Sequence, residues 1–399
     1  MMRNNDRTLM LKMLFMVGIL VLSSCAFLST ARSNQHTALN QPQELLASDP
    51  PSRSFHYETV DETGDVGYGI DFKLDTNDRP YISYSSFNGL VKYATKNDEG
   101  NWVVETVDHL SARTMTAVAI DGSGLPHLVY FDPVNNCLKY AQRQFGKWRI
   151  FVLNNNVGNV DDIDAPSLAT NTHGHVHMVY YNKRTDCLMH GIKYPLDLAS
   201  SVTGWRFEQI DAHLSLDFWP LPVIAVDPLS DHVRVAYYAR GRLNHAVQLG
   251  WGSWDIETVD SYGGVNPSLS IGSNGRSVIS YMYGSDMFED SFCLMCGQQN
   301  EDGQWVPETV NPESRSGTDS SIGVDTNNCP HIAHIHYLES RIEHVRDTPQ
   351  GWMNEFVAEL NNEGIYGPGM VSLAIPTNQH VQIAYRIGPV SHHRVMFAS

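Results

Sequence analysis

The chemistry in this chain gathers in a few places. His331, His334 and His336 fall in one stretch, HIAHIH, and a β-strand would set His334 and His336 on one face. There they could work as a general acid and base, or donate to a bound anion. His331 has parallels at His127 and His177, so packing accounts for it. A second group comprises Asp132, Tyr181, Arg184, Tyr238, Arg240, Tyr283, Arg341 and Arg386, with Trp219 beside them. Flat aromatic faces stack on sugar rings and guanidinium forks grip hydroxyls or carboxylates, so this mixture suits a glycan or an anionic polymer. The HGHVH run at 173–177 lacks a carboxylate or Cys at ligand spacing, and Cys293 and Cys296 would point to opposite faces of a strand. Neither is read as a metal or redox site, and no cofactor is expected.

A repeat supplies the elements that must hold these residues. Trp102, Trp148, Trp205, Trp254, Trp305 and Trp352 each open a copy of one phrase, with Phe55 opening the first, at intervals of 47, 46, 57, 49, 51 and 47 residues. Within 102–147, WVVETVD, TAVAID, GLPHLVYFD and CLKYAQ alternate as four strands parted by the turn-rich DGSG, DPVNN and RQFGK. ETVD recurs at Glu58–Asp61, Glu105–Asp108 and Glu257–Asp260, and as ETVN at Glu308–Asn311. A Tyr recurs in the third strand type at Tyr84, Tyr130, Tyr180, Tyr237, Tyr281 and Tyr385, and the sixth copy departs with His334. Four strands in roughly 40–50 residues is the spacing of a β-propeller. The expectation is an all-β, seven-bladed β-propeller of four-stranded blades, its recurring Trp packed between blades.

The repeat begins with a lone strand of the first type, 55–61, and ends with the other three types. Pairing 55–61 beside the three C-terminal strands completes the seventh blade and hides the edges an open array would expose. In such a ring the loops entering the second strand type and those between the third and fourth converge on one face. That face carries the aromatic, Arg and His candidates.

Ahead of the ring, Arg3, Arg7 and Lys12 precede an apolar run, Met13–Leu22, that is too short to span a bilayer comfortably. The tetrad L-S-S-C at 22–25 resembles the bacterial lipobox, which implies that 1–25 is a lipoprotein signal and that Cys25 carries the lipid. Ala26 and Phe27 follow, without the Asp that resembles an inner-membrane retention signal, so the outer membrane or cell surface is expected. Residues 26–54, rich in Ser, Gln, Asn and Pro, read as a flexible tether to the propeller at 55–399. Without the signal the chain holds 24 basic and 43 acidic residues, net −19, which argues against nucleic acid and against anionic lipid as partners of the protein itself. Only the acyl chains would meet the membrane, and a monomer is expected. An envelope location would permit a disulfide between Cys296 and Cys329.

Residues 55–399 resemble seven-bladed propellers of the broad sialidase-like and lectin-like kind, through W-x-x-E-T-V-D followed by apolar-A-x-D-x-x-G-x-P-H-apolar-x-Y. The turns NDEGNW at 97–102 and EDGQW at 301–305 are similar to a degenerate Asp-box, with Gly two rather than three positions ahead of Trp. The resemblance implies a glycan ligand. No residue matches the arginine triad or the Tyr–Glu pair of a sialidase, so the expectation is a lipid-anchored, non-catalytic propeller that binds a glycan or an envelope protein. The alternative is a carbohydrate-active enzyme, hydrolase or lyase, that uses His334 or His336 with loop Tyr and Arg residues.

Overall fold

The computed structural model describes residues 55–154, 157–158, 164–194, 204–214, 221–283, 292–312, 316–360, 369–389 and 392–399. The leader, the tether, Cys25 and Trp219 lie outside the described residues. Twenty-eight strands form seven four-stranded antiparallel sheets. The inner strands of blades one to seven are Val66–Leu74, Thr116–Ile120, Ser167–Thr170, Val223–Val226, Val265–Ile271, Ser316–Val324 and Val371–Ala374. Each touches the next in order and the seventh touches the first, so the ring is closed. The outer strands are Trp102–His109, Lys147–Asn154, Trp205–Ala212, Ser253–Asp260, Trp305–Asn311, Met353–Glu359 and, for blade seven, Tyr57–Asp61.

Closure follows the route the repeat implies. Tyr57, Glu58, Thr59 and Asp61 lie opposite Ala398, Phe397, Met396 and Val395, with a bulge between Thr59 and Asp61. His56 and Ser399 exchange backbone hydrogen bonds of 2.8 and 3.0 Å.

The repeated motif turns out to be a set of clasps between blades. Five of the six repeat Trp residues pack edge-on against an aromatic ring of the preceding blade's third strand: Trp102 on Phe397, Trp148 on Tyr93, Trp205 on Tyr140, Trp254 on His190 and Trp305 on His245, all at 5.1–5.3 Å between centroids. Phe55 takes the Trp place against His344 at 6.4 Å. The indole N–H of Trp102, Trp148 and Trp305 donates to the motif glutamate of the blade before, Glu58, Glu105 and Glu257, at 2.8–3.0 Å. Phe151 occupies that glutamate's position ahead of Trp205, whose Nε1 has no hydrogen-bond partner among the described residues. Cys296 is fully buried in one cluster with Trp352, and like Cys329 it is a free thiol.

The inner ring is sewn in the same manner. Ser372, Ser321, Ser268 and Ser167 accept, through Oγ, the backbone N–H of Phe72, Leu373, Ile322 and Ile224 in the following blade at 2.9–3.3 Å. Asp71 does this for Val118 at 2.9 Å. The D-x-x-G turn is an Asx turn: Asp121 Oδ1 accepts the N–H of Ser123 and Leu125, and Gly124 takes the left-handed position at φ 79°.

The seam between blades seven and one adds a buried ion pair to its clasp. Asp61, on the latch strand, accepts the Tyr84 hydroxyl at 2.8 Å and forms a buried ion pair with Lys92, and both partners belong to blade one. Burial pushes the Asp61 carboxyl up, but the bonds from Lys92, Thr63 and Tyr84 outweigh it and hold the group below its ordinary value. Its contribution to stability is therefore complete above the ordinary carboxylate range and is lost as pH falls through the lowered value. Lys92→Met leaves a buried carboxylate without its cation and should cost about 3–5 kcal/mol in urea unfolding at pH 7. That cost should shrink in acid as Asp61 takes up a proton in both proteins.

Candidate functional site

The clasp of Tyr84 on Asp61 recurs around the ring and explains the register Tyr. Tyr130 donates to Asp108 at 3.0 Å, Tyr237 to Asp211 at 2.9 Å and Tyr281 to Asp260 at 2.8 Å, each reaching the outer strand of the blade before. In blade two Lys139, at the place of Lys92, also binds Asp108, at 3.1 Å. Burial first, and then the aspartate, pushes these phenols above their ordinary range.

Blade six exchanges three members of this clasp together. His334 stands for the Tyr, Asn311 for the Asp, and Glu343, opposite His334, for the Lys. His334 is 0% exposed with Nε2 3.4 Å from Glu343 Oε2, and Arg341 Nε donates to Glu343 Oε1 at 2.6 Å. Burial raises the Glu343 carboxyl, but His334 and Arg341 bring it below its ordinary value. His336 is 1% exposed and accepts the Glu339 N–H at 3.3 Å. The two histidines therefore lie inside the wall of the ring, on a blade-to-blade seam. His331 stacks on His344 at 5.2 Å and joins it at 3.0 Å.

Most of the other candidates are tied to nearby groups. Asp132 accepts the Val134 and Asn135 N–H groups and meets Lys139 at 2.9 Å. Arg240, in the left-handed region at φ 54°, grips Asp211 with two bonds of 2.9 Å and donates to His213 O at 3.2 Å. Arg341 is held by Glu343 and Glu339. Tyr181 donates to Asp186 at 2.7 Å, which together with burial pushes its phenol up. Tyr238 is buried with Val265, Met282 and Phe292, Tyr283 is half-buried, and Arg184 is exposed.

Arg386 belongs to a different kind of cluster, most of which the sequence reading did not find. Asp65 and Tyr68 lie where the chain enters blade one, Phe87 in that blade's second-to-third turn, and Arg113 where the chain enters blade two. Arg386 and His393 flank the matching turn of blade seven. All six therefore lie toward the face expected to carry the site. The Arg113 guanidinium is 4.5 Å from the Tyr68 and Phe87 ring centroids, and that of Arg386 is 5.0 Å from Phe87. His393 stacks on Phe87 at 5.8 Å, and its Nδ1 lies 2.6 Å from Asp65. Its Nε2 lies 3.2 Å from Arg386 Nη2, so a neutral imidazole accepts from the guanidinium and donates to Asp65. Burial and the neighbouring Arg386 lower the His393 pKa against the pull of Asp65, in keeping with that tautomer. Arg386 is 3% exposed, and its Nε has no hydrogen-bond partner among the described residues. Burial and Arg113 pull its pKa down to about 10 despite Asp65. Two guanidiniums thus meet at one aromatic ring. The cluster joins residues some 300 positions apart, so only the placement of Tyr68 and Arg113 in converging loops could have signalled it.

No family model and no curated protein matches the chain. Among solved structures, virginiamycin B lyase from Staphylococcus aureus is similar at 11% identity and TM-score 0.54, covering 87% of this chain and 99% of that one. Polysaccharide lyase Uly1 is similar at 11% identity and TM-score 0.50, covering 83% and 89%. The fucose-specific lectin from Aleuria aurantia aligns at 11% identity and TM-score 0.48, covering 77% and 99%. Likeness at these identities speaks to the fold alone.

The inner strand of blade six adds a buried acid near the same face. Asp319 accepts the backbone N–H groups of Met370 and Val371, and burial still pushes its carboxyl up to about 6. The folded state therefore holds this proton more tightly than the unfolded chain does. The stability it contributes is complete below the ordinary carboxylate value and is lost as pH rises through about 6. Relative to Asp319→Asn, the protein should lose about 2 kcal/mol between pH 4 and pH 7. Urea unfolding of the two proteins at a series of pH values measures this difference.

Proposed function

We propose that this chain is a lipid-anchored, extracytoplasmic propeller that binds a glycan on one loop face without performing chemistry on it. The observation that carries the reading is the gathering of Tyr68, Phe87, Arg113 and Arg386 toward one face, aromatic and guanidinium groups of the kind that recognise sugars. His334 and His336 are sealed inside the wall of the ring, so they are not the groups this reading relies on. Cys25 would carry the lipid and 26–54 would space the ring from the outer membrane. An envelope protein is the other class of partner that this face could take.

One observation favours the enzyme reading. Tyr68 and His393 stand beside Arg386, which places acid–base groups next to a cation, the minimum for a lyase or hydrolase acting on an acidic sugar. A glycan array together with a depolymerisation assay on the full chain in detergent separates the two. The expected result is binding without cleavage, weakened at least tenfold by Phe87→Ala. Cleavage abolished by His393→Gln in a folded protein would make the chain an enzyme, and no signal with any glycan would turn the assignment to a protein partner. Cys25→Ser should release the protein from the membrane fraction on cell fractionation, and retention there would overturn the lipid anchor.

A further inference from the structure

The face opposite the candidate site is built from the inner-to-second turns and the third-to-outer hairpins of the blades. In blade one these turns carry Asp78, Asp98 and Glu99, and in blade five Asn274, Glu301 and Asp302. Blades two and four differ from them in the same way. Leu125, in the inner turn of blade two, is 40% exposed, and Phe145, at the tip of its hairpin, is 97% exposed. In blade four Leu229 takes the inner turn at 69%, and the hairpin presents Leu249 and Trp251 at 62% and 53%. Only Phe145 and Gly146 join Gln144 to Lys147, at φ 49° and 75°. Such a hairpin favours Asn-Gly, and a bulky side chain at positive φ is uncommon. At that exposure the Phe145 ring gains next to nothing from the fold in return for the strain. Aromatic tips held out in this way mark a contact surface.

We propose that blades two and four seat this face on the headgroup layer of a zwitterionic lipid surface, with Phe145, Leu229, Leu249 and Trp251 entering it. This rests on the lipid-anchor reading above and adds to it a contact made by the ring itself, where the sequence alone suggested contact through acyl chains only. The described chain begins on this same face: Phe55 leads into the latch strand, and His56 pairs with Ser399. Residues 26–54, between Cys25 and the ring, have a flexible reach of about 30 Å. The apolar tips stand on two blades with a third between them. A fluid interface accepts separate protrusions without the shape fit that a protein partner demands. Trp and Phe suit that layer, and leucine gains from its apolar edge. The net charge of −19 without the signal disfavours an anionic surface, so the contact is apolar and the lipid zwitterionic. Seated in this way, the ring turns Phe87 and Arg113 away from the lipid.

The test reconstitutes the full lipidated chain into phosphatidylcholine vesicles and compares ordinary lipid with lipid brominated on its acyl chains, which quenches Trp fluorescence at short range. Trp251→Phe should cut the quenching about threefold, and Phe145→Trp should raise it about twofold. Leu338→Trp, in an exposed turn on the site face of blade six, and Glu99→Trp, at the polar tip of blade one, should leave it unchanged. All four positions are exposed, so these substitutions leave the core untouched. Mixing phosphatidylglycerol into the vesicles should reduce the quenching at low salt, and a rise would overturn the choice of a zwitterionic surface. Quenching unmoved by Trp251→Phe, or gained equally with Leu338→Trp or Glu99→Trp, overturns the seat while the anchor stands, provided the chain floats with the vesicles. A chain that does not float overturns the anchor and the seat together. If Trp251→Ser converts a dimer to a monomer when the detergent-solubilised chain is sedimented, the tips meet a second copy and the lipid seat falls.

Discussion

A blade in a closed propeller has no free face: both sides of its sheet are covered by its neighbours, so each polar group on a seam must find its partner across that seam. The W-x-x-E-x-x-D pattern is the chemical answer to this constraint. Trp packs on the blade before and donates to that blade's glutamate, Tyr reaches the aspartate of the blade before, and an inner-strand Ser accepts the next blade's N–H. The partners lie in different blades, at about one period for the Trp and Glu and about half a period for the Tyr and Asp.

This explains how the breaks in the pattern behave. Where Phe151 displaces the glutamate, Trp205 loses its acceptor and keeps only its packing. Where His334 displaces the Tyr, the change is concerted: the aspartate becomes Asn311 and the facing cation becomes Glu343, so the carboxylate moves from one blade to the next, 3.4 Å from the imidazole, and neither ring nitrogen of His334 has a hydrogen-bond partner among the described residues. In the sequence the lone histidine stands out as a candidate for chemistry. In the structure it is sealed in the seam with Glu343 facing it, a looser arrangement than the bond from Tyr84 to Asp61.

The same logic sets what could be read in advance. Period, strand types, blade number and latch all follow from local alternation and from which strand types stand alone at the two ends of the repeat, and the fold carries every one of them. The polar face was less legible because availability is a property of pairs. Arg240 and Arg386 look alike in sequence, each ending a strand before a turn. Only the ring shows that Arg240 is closed by Asp211, 29 residues earlier, whereas Arg386 meets Phe87 and His393. Asp65, Tyr68 and Phe87 come from one end of the repeat and Arg386 and His393 from the other, so no local pattern could have grouped them.

That grouping links the site to the closure of the ring. The Asp61, Tyr84 and Lys92 clasp and the Asp65, Phe87, Arg386 and His393 cluster lie on one seam, between the blade made from both chain ends and the first blade made from one continuous segment. An open ring has neither. A ligand bound on that seam would bind the closed state alone, and by mass action it would stabilise the closure of the ring.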